Sequence, residues 1–178
     1  MAQQLEIPLN KKRMTLMLLG SLAFVAMGCW FIVRPPAIEN AILANPVVIR
    51  VTGFLSVLFF GLCAVTLVRK LPDSRPGLII NDQGITDNSS GVSAGLVLWE
   101  DVLEIKMTAV YKNKFIMIMV RNPEEYINRQ TNLIKRKAMV LNHSSYGSPI
   151  SISANGLNTN FEELYGIIRQ QFTGRLAV

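Results

Sequence analysis

Two long apolar runs near the start of the chain dominate its hydropathy pattern. The first covers residues 14–33 and the second covers residues 51–68, and neither contains a charged side chain. At about 1.5 Å rise per residue, helices of this length reach across the roughly 30 Å hydrocarbon core of a bilayer. We therefore predict a transmembrane hairpin over residues 14–70.

The first run is longer than the apolar core of a signal peptide, which has about 7–15 residues. It ends in Trp30 and Phe31, and Arg34-Pro35-Pro36 follows without a small-x-small cleavage site. We therefore expect this segment to be retained as a membrane span.

The basic residues that flank the runs predict the orientation of the hairpin. Six of them lie at the end that carries the chain termini: Lys11, Lys12, Arg13, Arg69, Lys70 and Arg75. The connection at residues 34–50 carries only two, Arg34 and Arg50. By the positive-inside rule, a multi-pass protein with both termini in the cytoplasm is expected.

The net charge of +6 belongs mainly to this membrane part. Residues 1–70 carry +5, whereas residues 71–178 carry +1. The basic balance therefore reflects membrane topology, and no nucleic-acid partner is expected.

The contents of the runs predict how the two helices pack. Small residues that permit close approach of the two helices occur in both runs: Gly20, Ser21, Ala23, Ala26, Gly28, Gly53, Ser56, Gly61 and Ala64.

The two runs also contain both cysteines of the chain, Cys29 and Cys63. In antiparallel helices these cysteines differ in depth by roughly 15 Å, so no disulfide can join them. Neither run contains an ionisable residue, which argues against a transporter within one chain.

The segments around the runs are polar or rich in proline. Residues 1–13 are predicted to be a short polar cytoplasmic arm. The connection contains three prolines and is too short to fold alone. Within it, Ala37–Ala44 is expected to form one or two helical turns on the membrane surface.

Residues 71–178 are predicted to be a cytoplasmic domain that begins with short strands. Apolar residues 78–80 and 85–86 flank Asn81-Asp82-Gln83-Gly84, which is the pattern of a tight β-hairpin. A loop rich in Asn, Ser and Gly follows, and residues 96–99 form the next predicted strand.

Two longer strands are predicted in the middle of this domain. Apolar and polar residues alternate strictly over residues 103–109, which indicates a half-buried strand. Its inward side chains are expected to be Leu103, Ile105, Met107 and Ala109. After a turn at residues 111–114, residues 115–120 are all apolar, which is typical of a strand covered on both faces.

The next element is predicted to be a helix from Asn122 to about Lys137. Asn122-Pro123-Glu124-Glu125 supplies an N-cap, a proline at the first position and a capping box. The inward side chains are expected to be Tyr126, Ile127, Leu133 and Ile134. Residues 139–141 and 149–153 are short strand candidates around a loop at residues 142–148.

An amphipathic helix is predicted at the end of the chain. Asn160 and Glu163 provide its cap, and its apolar stripe consists of Phe161, Leu164, Tyr165, Ile168 and Phe172. The predicted fold is therefore a membrane α-hairpin followed by an α+β domain. Five to seven antiparallel strands capped by a C-terminal helix are the layout of a pleckstrin-homology-like (PH-like) barrel or sandwich.

Several motifs of this domain also occur in a known family. They are Gly77–Asn81 with Gly84-Ile85, Asp87–Gly91, Trp99–Val102, Asn122-Pro123 and Tyr146–Ile150. With them the chain resembles a family of uncharacterised small bacterial membrane proteins, over essentially its whole length. The resemblance implies two N-terminal transmembrane helices, a cytosolic PH-like domain and a place in the bacterial inner membrane. It implies no catalytic residue.

The sequence offers little catalytic chemistry. His143 is the only histidine, and we expect it in a solvated loop beside Ser144 and Ser145. No third group completes a nucleophile and base arrangement there. No cysteine and histidine cluster has metal-binding spacing, and no glycine loop is suited to phosphate. We therefore expect neither an enzyme nor a bound metal or cofactor.

The candidate functional residues are basic: Lys112, Lys114, Arg129, Lys135, Arg136 and Lys137. If these side chains face the bilayer, each contributes about 1 kcal/mol of attraction to anionic lipid. The alternative is an ordinary solvated helix face, because Glu124 and Glu125 lie on the same predicted helix. The expected partners are the bilayer, anionic lipid headgroups or a cytoplasmic protein, and a homo-oligomer is compatible with the pattern.

Two functions fit these features. The first is a membrane-tethered PH-like binding or scaffold module presented at the cytoplasmic face of the inner membrane. The second is a ligand-sensing effector that oligomerises through its two helices to form a pore or disrupt the membrane. The first predicts an exposed basic or apolar patch, and the second predicts a polar pocket in the barrel together with self-assembly.

Overall fold

The computed structural model describes residues 4–36 and 45–176, which divide into two compact units. The first unit, the helical hairpin, is Lys11–Ser74. The second unit, the sheet domain, combines Met1–Asn10 with Arg75–Val178. In sequence, the hairpin is therefore an insertion into the sheet domain.

The hairpin consists of α1, Lys11–Val33, and α2, Pro46–Lys70. The prediction of two long apolar helices is confirmed, and both are long and apolar enough to cross a membrane. Only 11% of the most apolar stretch of each helix is buried, whereas a core helix of a soluble protein is mostly buried. Exposed apolar surface of this extent is suited to lipid.

The second helix begins earlier than predicted. The Asn45 side chain accepts a 2.9 Å hydrogen bond from the Val47 amide, and Pro46 occupies the first helical turn. An asparagine cap followed by proline is a strong helix start, so residues 46–50 are helical and do not belong to the connection. The helical turns expected at Ala37–Ala44 lie outside the described residues.

The two helices approach each other closely at Gly28 and Gly53. A Cβ atom on Gly28 would lie 2.8 Å from the Gly53 carbonyl oxygen, and one on Gly53 would lie 2.7 Å from the Gly28 oxygen. The Ser56 hydroxyl also donates a 3.2 Å hydrogen bond to the Phe24 carbonyl. Close approach through small residues is therefore confirmed at this crossing. Cys29 and Cys63 are free thiols.

A lysine closes the base of the hairpin. The Lys11 ammonium donates hydrogen bonds to the carbonyl oxygens of Leu71, at 2.5 Å, and Asp73. Lys70 forms an ion pair with Asp73 at 3.0 Å. Positive charge at the C-terminal end of α2 is favourable because the last carbonyl groups of a helix have no partner within it.

The first sheet of the sheet domain is antiparallel, with strands β1 to β4 adjacent in chain order. The strands are β1, Leu5–Ile7; β2, Leu78–Ile80; β3, Gly84–Asp87; and β4, Gly95–Leu98. The predicted hairpin and the strand after it are confirmed. A short 3₁₀ turn over Trp99–Asp101 follows β4.

The strand β1 differs from the sequence expectation, which placed residues 1–13 in a polar arm. Leu5 pairs with Ile80 and Ile7 pairs with Leu78. Ile7 and Leu9 are each only 6% exposed. The start of the chain is therefore part of the domain core, since these apolar side chains gain more from burial than from solvent contact.

The second sheet is also antiparallel, with the order β5-β6-β7. Its strands are β5, Val102–Val110; β6, Asn113–Val120; and β7, Ile150–Ile152. Both faces of β6 are covered, as predicted, since Ile116, Met117 and Ile118 are at most 2% exposed.

The predicted inward face of β5 is wrong in part. The register shifts between Val102 and Glu104, which leaves Leu103 in a bulge and 56% exposed. Met107 is 54% exposed and Ala109 is exposed, so Ile105 alone of the four predicted residues is buried. The bulge accounts for Leu103, and alternation in the sequence cannot reveal it.

Two helices replace the single helix predicted for residues 122–137. They are α3, Pro123–Asn128, and α4, Leu133–Tyr146. Asn122 forms no side-chain cap, whereas the Asn132 side chain accepts hydrogen bonds from the amides of Ile134 and Lys135. The strand predicted at residues 139–141 and most of the loop predicted at residues 142–148 are helical. Gly147, with φ of +79°, ends α4.

The C-terminal helix α5, Phe161–Leu176, is as predicted. The Asn160 side chain accepts a 2.9 Å hydrogen bond from the Glu163 amide, and Leu164 and Ile168 are fully buried. One hydrophobic core joins both sheets with residues of α3, α4 and α5. An α+β domain is thus confirmed, but its two sheets do not close into a barrel within the described residues.

Candidate functional site

The six basic candidates lie on different parts of the sheet domain. Lys112 is in the turn between β5 and β6, and Lys114 is on β6. Arg129 follows α3, and the remaining three, Lys135 to Lys137, lie on the first turns of α4. The structure therefore separates a turn group from a helix group.

In the turn group, Lys114 has a structural partner. Its ammonium lies 2.6 Å from the Glu162 carboxylate and 5.4 Å from the centre of the Phe161 ring. The hydrogen bond from Lys114 lowers the pKa of Glu162. These contacts join β6 to α5. Beside Lys112, Tyr111 has φ of +53° and is 99% exposed at the tip of the turn.

Arg129 also serves the packing of the domain. It forms an ion pair with Glu125, and its guanidinium lies 4.5 Å from the centre of the Tyr126 ring. It donates a 3.5 Å hydrogen bond to the Leu96 carbonyl. The hydrogen bond with Glu125 raises the pKa of Arg129. Arg129 thus holds the end of α3 against β4.

The basic residues of α4 differ in exposure. Lys135 is half-buried, while Arg136 and Lys137 are exposed. Arg136 donates a 2.7 Å hydrogen bond to the Asn128 side chain. The sequence of α4 contains no acidic residue.

The outward face of α4, a feature that sequence reasoning missed, is also apolar. Leu133 and Ile134 are 71% and 75% exposed, whereas they were expected to point inward. Val140 and Leu141, expected near or in a strand, are 49% and 65% exposed. If residues 132–147 are taken as one helix from an asparagine cap to a glycine, all four residues fall on one side. That cap and that glycine are the sequence signal for this surface.

The inward face of α4 lies on β7. Met139 is fully buried, and the Asn142 amide donates a 3.1 Å hydrogen bond to the Ser151 hydroxyl. His143 is helical and half-buried, so its expected place in a solvated loop is wrong. Its Nδ1 atom is buried without a hydrogen-bond partner in the described part of the chain.

The described part of the sheet domain contains the two cavities that follow. The first has about 150 Å³ and an uncharged lining of Thr108, Val110, Phe115, Met117, Asn142, Tyr146 and Ser151. The second, about 470 Å³, is lined by Glu104, Ile105, Lys106, Met107, Tyr165, Arg169, Phe172 and Thr173. In the second cavity, Lys106 forms an ion pair with Glu104 at 3.0 Å. Arg169 is the other basic residue in the lining of this cavity.

The described residues contain no group of three or more His, Cys, Asp or Glu side chains arranged to hold a metal ion. No protein-family model matches the chain, and neither the curated proteins nor the solved structures contain a significant match. The geometry of the chain itself is therefore the basis for any functional inference.

Proposed function

We propose that the chain is a membrane-tethered binding or scaffold module. In this proposal α1 and α2 span the bacterial inner membrane, and the sheet domain is a PH-like module at its cytoplasmic face. The observation that carries the proposal is the insertion of an apolar hairpin between β1 and β2 of one domain. The hairpin is joined to the domain at Asn10–Lys11 and at Ser74–Arg75, and residues 71–77 connect α2 to β2.

The helix lengths support two spans. α1 has 23 residues and α2 has 25. At 1.5 Å per residue, these helices are about 35 Å and about 38 Å long, which exceeds the roughly 30 Å hydrocarbon core. The basic residues Lys11, Lys12, Arg13, Arg69 and Lys70 all lie at the end of the hairpin that joins the sheet domain. The positive-inside rule therefore favours a cytoplasmic domain.

The order of the strands supports a PH-like module. Four antiparallel strands are followed in the chain by three antiparallel strands and one C-terminal helix, with the hairpin inserted after β1 and with α3 and α4 inserted after β6. Both sheets and α5 contribute to one core. A PH-like module is also what the family resemblance implies.

Labelling of single cysteines in bacterial cells tests the proposed topology. Gly91→Cys lies on the surface of the sheet domain with open space around its Cβ position, and Asn40→Cys lies in the connection. Both are made in a Cys29→Ser/Cys63→Ser background, which serves as the unlabelled control. A membrane-impermeant maleimide is expected to label Asn40→Cys in intact spheroplasts and Gly91→Cys only after lysis. The reverse pattern would overturn the orientation, and release of the chain by alkaline carbonate would overturn the spans.

One observation favours the second candidate, the ligand-sensing effector. The open cavity between β5 and α5 contains Arg169, which can attract an anionic ligand. Native mass spectrometry of the full chain released from lipid nanodiscs separates the two proposals. A closed ring of several copies would support the effector. A monomer or dimer that retains anionic lipid or a foreign protein would support the tethered module.

A further inference from the structure

The outward face of α4 combines apolar and basic side chains. Its exposed apolar residues are Leu133, Ile134, Val140 and Leu141. Lys137 is exposed on the same side, four residues after Leu133 and four before Leu141. The opposite side is held by buried Met139 and by the hydrogen bond from Asn142 to Ser151. The apolar face is therefore left uncovered by the rest of the described sheet domain.

The positive charge of α4 indicates the kind of partner that this face can bind. Three consecutive basic residues, Lys135 to Lys137, lie in a helix that has no aspartate or glutamate. The nearest acidic residues along the chain are Glu124 and Glu125, and Glu125 is already paired with Arg129. A second copy of the same face would bring like charges together, which disfavours self-association. A partner with an anionic surface and an apolar interior matches both the basic and the apolar side chains of this face.

We propose that α4 lies in the plane of an anionic membrane surface. Leu133, Ile134, Val140 and Leu141 enter the boundary between headgroups and acyl chains, and Lys137 and Arg136 contact lipid phosphates. Amphipathic helices with a basic polar region bind membranes in this way, through apolar burial and attraction to anionic lipid. The inference names a partner for the proposed function and rests on it, since a tethered domain meets the bilayer at high effective concentration.

The depth of a nitroxide label on α4 tests this inference in the full chain. The label is placed at Ser144, an exposed position seven residues after Lys137, in the Cys29→Ser/Cys63→Ser background. The control label is placed at Gly91, far along the chain in an exposed loop. Both proteins are reconstituted into vesicles of phosphatidylcholine alone or with an equal part of phosphatidylglycerol. Electron paramagnetic resonance then measures collisions of the label with oxygen and with a water-soluble nickel chelate.

With phosphatidylglycerol, the label at Ser144 is expected to lose about fivefold or more of its nickel accessibility while it retains access to oxygen. The Gly91 label is expected to remain water-accessible in both lipids. Lys137→Gln with Arg136→Gln removes the exposed charges of α4 and is expected to reverse most of the shift. Ile134→Ser with Leu141→Ser is expected to abolish it, whereas Leu103→Ser, on β5, leaves it unchanged.

Each contrary outcome has its own meaning. A Ser144 label that stays water-accessible in vesicles that carry the protein overturns the inference and leaves the tether intact. A label shielded from both reagents indicates contact with a second copy or another protein and also overturns the inference. Failure of the full chain to float with vesicles of either composition overturns the proposed membrane tether, and the inference with it. Circular dichroism of each variant confirms that the exposed substitutions preserve the fold.

Discussion

The hydroxyl group of Tyr126 donates a 2.6 Å hydrogen bond to the carboxylate of Asp101. It also accepts a 3.3 Å hydrogen bond from the Leu98 amide. Tyr126 is fully buried and belongs to α3, whereas Leu98 and Asp101 lie on either side of Trp99. Burial, together with the hydrogen bond to Asp101, raises the pKa of Tyr126 to about 12. This pair fixes α3 to the corner between the two sheets.

Removal of the hydroxyl in Tyr126→Phe is expected to destabilise the sheet domain by about 1–3 kcal/mol. The substitution removes the hydroxyl group that the Leu98 amide and the Asp101 carboxylate bond, and the loss occurs beside a fully buried ring. Chemical unfolding of the full chain in nanodiscs, followed by Trp99 fluorescence, measures the loss. Tyr111→Phe is the matched control, because Tyr111 is 99% exposed, and its effect is expected to stay within about 0.5 kcal/mol.

The same tyrosine predicts a stability change in alkaline solution. The pKa of Tyr126 is about 12 in the folded chain, against an ordinary value of 10.0. The fold thus favours the neutral phenol, so this stabilisation is complete below pH 10 and is lost as the pH rises through 12. The full loss is on the order of 3 kcal/mol. Unfolding free energies of the native chain and of Tyr126→Phe should converge over this range, and parallel curves would contradict the prediction.

Alanine substitutions test the close approach of α1 and α2. Gly28→Ala or Gly53→Ala places a methyl group under 3.0 Å from a carbonyl oxygen of the other helix, so the helices must separate. A cost of about 1–3 kcal/mol is expected from this overpacking. Gly20→Ala and Gly61→Ala are the controls, since nothing lies within 4 Å of their Cβ positions. Thermal denaturation in nanodiscs is the measurement, and equal effects at all four positions would contradict the crossing.

Lys11 is expected to protect the end of α2 from local opening. In Lys11→Met the carbonyl oxygens of Leu71 and Asp73 lose the ammonium donor. Hydrogen exchange should therefore accelerate at the Leu71 and Asp73 amides, which bond to Leu67 and Lys70. Lys12→Met removes an adjacent exposed charge and should leave this exchange unchanged.

The contribution of β1 is tested by Ile7→Ala. Ile7 is 6% exposed and pairs with Leu78, so its truncation is expected to cost about 2–4 kcal/mol. Glu6→Ala changes an exposed neighbour on the same strand and is expected to have little effect. Limited proteolysis of the sheet domain in the full chain gives the readout. Equal protease resistance of Ile7→Ala and the native chain would show that β1 adds nothing to the core.

The candidate surface on α4 could be predicted only in part. The basic residues are visible in the sequence, but a single helix from Asn122 to about Lys137 places Leu133 and Ile134 in the core. The helical segment is interrupted between Asn128 and Leu133, and two contacts define the helices on either side of the interruption. Tyr126 of α3 is hydrogen-bonded to Asp101, and the Asn132 side chain caps α4. Those contacts are tertiary or local to the turn, and hydrophobic periodicity does not record them.

The sequence by itself determined the elements whose signal is long and local. Two uncharged runs specify α1 and α2, and a stripe repeated over several turns specifies α5. Tertiary structure alone decided the place of β1, because a three-residue strand has no readable period and its partner β2 lies beyond the whole inserted hairpin. It also decided the bulge at Leu103 and the exposed face of α4. In each case the outcome depends on which surfaces remain available for burial after distant parts of the chain have paired.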